Sequence, residues 1–144
     1  MNERIRVLIT RLKKEHGTLD PFQIITEKEL GLKYVHFPSE VLGRYMKTFS
    51  RPTIFLNESL ESSNQRYFVA SHELCHALEH EELSGYYVFN HRSRSKLENE
   101  ANVFATTLLF NFYMEEHETY PRTSQSLKYT YGVPTEYSEL FLKL

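Results

Sequence analysis

The stretch Phe68-Val69-Ala70-Ser71-His72-Glu73-Leu74-Cys75-His76-Ala77-Leu78-Glu79-His80 decides how this chain is read. From about Ser62 to Glu82 the pattern is helical: Phe68, Ser71, Cys75 and Leu78 lie close to one stripe, with Val69 and Leu74 flanking it. Within that helix stands an HExxH motif, His72-Glu73-Leu74-Cys75-His76. At about 3.6 residues per turn, His72 and His76 sit ~40° apart around the axis and one turn apart along it. Both imidazoles therefore reach a single tetrahedral ion. Glu73, ~100° round from His72, is set beside the ion's open position rather than on the ion. There its carboxylate can take a proton from the water that fills that position and later return it to a leaving amine.

A third ligand must come from elsewhere. The metzincin arrangement needs a histidine six residues past the motif after a Gly turn, but position 82 is Glu and the next glycine is Gly85. His80 lies one turn beyond His76, too far for the same ion, and is expected to orient something nearby or to cap the acidic run Glu79–Glu82. A second strong helix over residues 96–114 offers two carboxylates, Glu98 and Glu100. Leu97, Ala101, Phe104, Ala105, Leu108 and Phe112 recur there at three and four. Glu98 is in line with Ala101, Ala105, Leu108 and Phe112, whereas Glu100 points about 160° away. A carboxylate on a core face is expensive unless paired or metal-bound. Glu98 is thus preferred over Glu100, giving a His72–His76–Glu98 site with water as fourth ligand of one zinc ion per chain. Asn102, one turn after Glu98, is placed to accept from a ligand imidazole N–H.

Outward from these helices the reading is coarser. Residues 2–15 place Ile5, Leu8, Ile9 and Leu12 at helical spacing, with Gly17 just past the end. Asp20-Pro21-Phe22-Gln23 signals a second helix, running to about Leu30 and stopping at Gly31. Leu32–Phe37 reads as a short strand. Arg44–Phe49 and Thr53–Leu56 read as a hairpin around Ser50-Arg51-Pro52. A polar connection, Leu83–Ser95, carries a strand signal at Tyr86–Phe89. Short helices are expected at Ser124–Tyr131 and after Pro134.

The chain has 144 residues, which suits one domain spanning 1–144. Its net charge of −2 argues against general nucleic-acid binding. Residues 1–66 carry 11 basic and 8 acidic side chains, whereas residues 67–144 carry 6 and 11, so the acidic excess lies with the motif. The single cysteine excludes an internal disulfide framework and a Cys-only zinc cluster, and suits a reducing cytoplasm. No apolar run approaches the ~18 residues of a membrane span, and the first residues lack an apolar signal core.

Two motifs together carry a resemblance. The HExxH stretch and Glu98-Asn99-Glu100-Ala101-Asn102-Val103-Phe104-Ala105, followed by Leu108-Leu109, resemble the ImmA/IrrE family of metallopeptidases. Asp20-Pro21-Phe22, Leu42-Gly43-Arg44-Tyr45 and Ile54-Phe55-Leu56-Asn57 fit it as well. The resemblance implies a gluzincin-like site with His72 and His76 on zinc, Glu73 as base and Glu98 as third ligand. It implies an α+β, zincin-like fold: a small antiparallel sheet packed on the HExxH helix, and a second helix carrying the third ligand. Members on phages and other mobile elements cut a DNA-binding helix-turn-helix repressor, so the implied partner is such a repressor encoded nearby. Alternatives are a host stress-response regulator, the toxin-side partner of a toxin–antitoxin pair, and a non-catalytic zinc-bound interaction module. There are two departures from the family: Cys75 stands where Gly is usual, and Phe110-Asn111 replaces Met-Pro.

Three further expectations concern single positions. Cys75 reads as a small buried residue. Thr53, Ile54, Phe55, Leu56 and Asn57 form the candidate edge strand for adding a substrate backbone. Tyr45, His91 and Tyr137 are the candidate donors to a tetrahedral oxyanion.

Overall fold

The computed structural model describes residues 2–47, 51–80 and 91–142. The described chain runs α1 (Glu3–His16), α2 (Pro21–Glu27), β1 (Gly31–Val35), β2 (Gly43–Lys47), β3 (Pro52–Asn57), a 3-10 turn (Glu58–Leu60), α3 (Gln65–Glu79), α4 (His91–His117), α5 (Ser124–Tyr131) and α6 (Thr135–Leu142). It is a mixed α+β fold, with one three-stranded sheet among the described residues.

Local chemistry sets the first elements as expected. Asn2 caps α1 by accepting from the Arg4 N–H, and Gly17 ends it in the left-handed region at φ 72°. Asp20 accepts from the Phe22 N–H at 2.9 Å, with Pro21 in the first turn of α2. That helix stops at Glu27, short of the expected Leu30. Glu29 takes a positive φ of 60°, which turns the chain so that the strand begins at Gly31 itself.

The strand order is β1-β3-β2. β2 and β3 form the expected antiparallel hairpin, Tyr45 lying opposite Ile54. β1, however, pairs with β3 in parallel, so the sheet is mixed rather than antiparallel throughout. The connection from β1 to β2 must therefore cross from one side of β3 to the other. Asn57 pins that crossing: its buried Nδ2 donates to the carbonyls of Phe37, Pro38 and Val41 at 3.4, 3.3 and 3.0 Å.

α3 lies between this sheet and the long α4. Phe68, Val69, Ala70, Leu74, Cys75 and Ala77 are all buried, because the sheet, α2, α4 and α5 cover different sides of the helix. The single apolar stripe expected from the sequence is accordingly only part of its buried surface. Glycine permits the closest approach. An added Cβ on Gly43 would stand 2.6 Å from Val69 Cγ1 and 3.3 Å from Glu73 Cγ, so only a bare Cα lets β2 lie against α3 there.

α4 begins at His91, so residues expected at the end of a polar connection are helical; the strand signal at Tyr86–Phe89 lies outside the described residues. Its stripe of Ala101, Phe104, Ala105, Leu108 and Phe112 is buried as the periodicity predicts. No helix among the described residues is long and apolar enough to cross a membrane.

Candidate metal centre

α3 and α4 bring three ligand atoms to one point. His72 and His76, one turn apart on α3, set their Nε2 atoms 3.2 Å from each other. Glu98 reaches both from α4, with Oε2 3.0 Å from His72 Nε2 and Oε1 2.9 Å from His76 Nε2. A tetrahedral zinc ion with ligands at about 2.0–2.1 Å has donor–donor edges of roughly 3.3 Å. The His72–His76 edge and the approach of one Glu98 oxygen to each imidazole are close to that value, so the donor set is compatible with zinc. Among the described residues the donors are two imidazoles and a carboxylate, the number that catalytic rather than structural zinc sites take from the protein.

The outward-facing ring nitrogens are engaged. His72 Nδ1 lies 2.7 Å from Asn102 Oδ1, the partner expected from sequence. Asn102 Nδ2 in turn donates to the Tyr137 hydroxyl at 3.0 Å, and that hydroxyl donates to Asn99 Oδ1 at 3.3 Å. With the His72 proton on Nδ1, its Nε2 lone pair faces inward. His76 Nδ1 lies 2.8 Å from His80 Nδ1, and His80 Nε2 lies 3.0 Å from Glu100 Oε1. Glu100 therefore turns away from the three donors, consistent with its angular distance from Glu98.

Electrostatics follow the packing. Burial would hold His72 down, but the Glu98 hydrogen bond and the Glu73 charge outweigh it, and its pKa rises. For His76 burial prevails over Glu98, and its pKa falls. Burial would raise Glu98, yet its hydrogen bonds with both imidazoles hold it well below the usual carboxylate range. Glu73 behaves oppositely. It is only 7% exposed, and burial, helped by the Glu98 charge, pushes it up to about 7 against His72, the Tyr45 backbone N–H and Arg44. Its Oε2 lies 3.9 Å from His72 Nε2, beside the donor cluster rather than in it.

Several expectations need correction. Thr53–Asn57 is no edge: β3 is the central strand, with β1 on one side and β2 on the other, so its backbone has no side left for a substrate. Asn57 instead clamps the crossing loop. The strand that flanks β3 nearest the motif is β2, which has a strand on one side only among the described residues. Tyr45 puts its ring in the core at 6% exposure, and it meets the site through its backbone N–H on Glu73 rather than through its phenol. Tyr137 has its hydroxyl on Asn102 and Asn99, on the outer side of His72. His91 opens α4, and its side chain lies outside the described residues. Glu98 is not deep in the core; its side chain is 40% exposed, at the rim where α4 leaves the protein interior.

Sequence reasoning found part of the outer ring of contacts: Asn102 on a ligand imidazole, and His80 orienting something nearby. It did not name the His76 ring as what His80 touches. Nor did it involve Arg4 of α1, whose Nε lies 3.1 Å from Glu79 Oε1 and whose Nη2 lies 3.8 Å from Glu100 Oε1. The spacing His72, His76, His80 was the available signal, since three histidines at i, i+4, i+8 share one helix face.

A small sheet on an HExxH helix, with a carboxylate brought over from a second helix, defines a metallopeptidase-like protein. The chain belongs to the Peptidase_M78 family, described as the IrrE N-terminal-like domain, whose model matches residues 2–143. It is also similar to a protein of Bacillus phage phi105 named "Uncharacterized immunity region protein 2", 27% identical over an aligned length of 139 residues, with 94% of this chain and 87% of the phage protein covered. The resemblance drawn from the two helix motifs is thereby borne out.

Proposed function

We propose that this protein is a zinc-dependent endopeptidase of the cytoplasm that hydrolyses a peptide bond in a protein, and that its substrate is a helix-turn-helix repressor encoded nearby. The observation that carries the reading is the convergence of His72, His76 and Glu98 with Glu73 buried beside them. A structural zinc site needs no such neighbouring base and is usually closed by a fourth protein ligand. His72, His76 and Glu98 would hold the ion. Bound there, zinc supplies a Lewis acid for the scissile carbonyl and lowers the pKa of water. Glu73 supplies the proton transfers. Buried beside the donor cluster, its carboxylate is placed to accept a proton from water and return it to a leaving amine. Asn102 and His80 hold the two imidazoles in orientation. β2, lying along α3 beside Glu73, is the strand along which a substrate backbone would add. The repressor rests on the family resemblance and on the immunity-region name of the phage relative.

Purified protein is expected to bind about one zinc per chain. Glu73→Gln should retain the metal yet lose cleavage of the repressor from the adjacent gene by at least ~10²-fold. Cleavage at the wild-type rate by that variant would remove Glu73 from this role.

A further inference from the structure

Cys75, His80 and Glu100 bring ligand-type atoms within 4.8 Å of one another, immediately behind the His72–His76–Glu98 cluster. Such a group invites reading as a second metal site. Counting protons on the ring nitrogens leads elsewhere.

His80 is 2% exposed, so its contacts are made with protein. Its Nδ1 faces His76 Nδ1 at 2.8 Å, and one proton must lie between the two nitrogens. Its Nε2 faces Glu100 Oε1 at 3.0 Å. If His76 offers its Nε2 lone pair to a metal, its proton is on Nδ1 and points at His80. His80 must then accept at Nδ1 and carry its own proton on Nε2, where the Glu100 carboxylate receives it. Every contact pairs one donor with one acceptor. The reverse assignment fails twice. A proton on His80 Nδ1 moves the His76 proton to Nε2, where it blocks the metal. It also leaves the His80 Nε2 lone pair facing a carboxylate oxygen, two acceptors without a hydrogen. A second ion on His80 Nε2 would displace the proton that this arrangement needs.

We propose that Glu100, acting through His80, is a positioning residue that holds His76 in its metal-binding tautomer, and that the Cys75–His80–Glu100 cluster takes no ion of its own while the first site is filled. Arg4 Nη2 lies 3.8 Å from Glu100 Oε1 on an exposed side chain, a long ion pair that adds little to what His80 does for Glu100. Carboxylate–histidine–metal arrangements are familiar; here a second imidazole is inserted between the carboxylate and the ligand. The inference rests on the reading of His76 as a zinc ligand.

Nitrogen-15 NMR of the histidines in zinc-loaded wild-type protein tests it directly. The expected spectrum has the His80 proton on Nε2 and the His76 proton on Nδ1. Zinc affinity by chelator competition gives the second measure. Glu100→Leu should weaken binding about 10-fold, the lower end of the range for such outer partners. Glu100→Gln, which keeps an acceptor oxygen and is the milder change if Glu100→Leu folds poorly, should stay within about threefold of wild type. Stoichiometry should be one zinc in both wild type and Cys75→Ala. A His80 proton on Nδ1 in the zinc-loaded protein would overturn the relay while leaving the zinc site intact. So would undiminished affinity in Glu100→Leu, or a second zinc lost in Cys75→Ala. Wild-type protein that binds no zinc would overturn the reading of the site and the relay together.

Discussion

At the residue scale, burial raises the pKa of both titratable side chains of the motif that are not ligands, Glu73 and Cys75, with different consequences. Glu73 is held up to about 7 by burial, against an ordinary 4.5. Between those values the folded protein keeps a proton that the unfolded chain has released, so this group lowers stability as pH rises, in full above about pH 7. Metal-free Glu73→Gln is therefore expected to be more stable than metal-free wild type at pH 8, by up to about 3 kcal/mol, with the gap closing toward pH 4.5. Urea unfolding at the two pH values checks this; coincident curves at pH 8 would contradict it. Cys75 is 1% exposed, and burial, with the Glu100 and Glu79 charges, pushes its thiol up. Since the thiolate is the reactive form, a thiol reagent at pH 8 should leave the folded protein unlabelled and label it fully in denaturant. Rapid labelling without denaturant would show that the cysteine is not the packing residue it looks to be.

At the element scale, the site depends on how closely β2 approaches α3. Gly43 is the contact point, and a methyl there meets Val69 Cγ1 at 2.6 Å, a branched methyl that cannot swing aside. Gly43→Ala is expected to cost about 1–3 kcal/mol by overpacking. Val69→Ala in the same chain should recover part of that loss, because the two substitutions share one contact. Thermal unfolding of the singles and the double measures the coupling; strict additivity would mean the strain lies elsewhere. The same approach places the Tyr45 N–H on the Glu73 carboxylate, so the substitution is expected to disturb the site as well as the packing.

At the scale of the whole molecule, the ligands come from two helices far apart in sequence, and a bound ion links them. An ion that binds only the folded state stabilises by about 4 kcal/mol at a thousandfold excess over its dissociation constant. For a chain of this size that corresponds to a Tm increase of about 10 °C. Zinc should produce such an increase in wild type, a chelator should reverse it, and His72→Ala should abolish it. A Tm indifferent to zinc would show that the cluster does not hold the ion.

What was legible in the sequence was what short-range geometry dictates. The HExxH spacing places two imidazoles on one helix face, and the angular separation along α4 distinguishes Glu98 from Glu100, although Glu98 is the more exposed of the two, 40% against 16%. Caps at Asp20 and Gly17 mark helix ends because they act through hydrogen bonds and dihedral angles of neighbouring residues. The tertiary structure decided what depends on long-range pairing. β3 lies at the centre of the sheet because β1 pairs with it in parallel, a partner no local pattern specifies, and this removed Thr53–Asn57 as a substrate edge. The phenols of Tyr45 and Tyr137 were assigned to core and to α4 by packing, not by spacing. His80 and Glu100 meet only because α3 and α4 lie side by side, and Arg4 joins them from the other end of the chain. Local sequence determined which atoms could bind a metal; the packing of two helices determined which of them face one another.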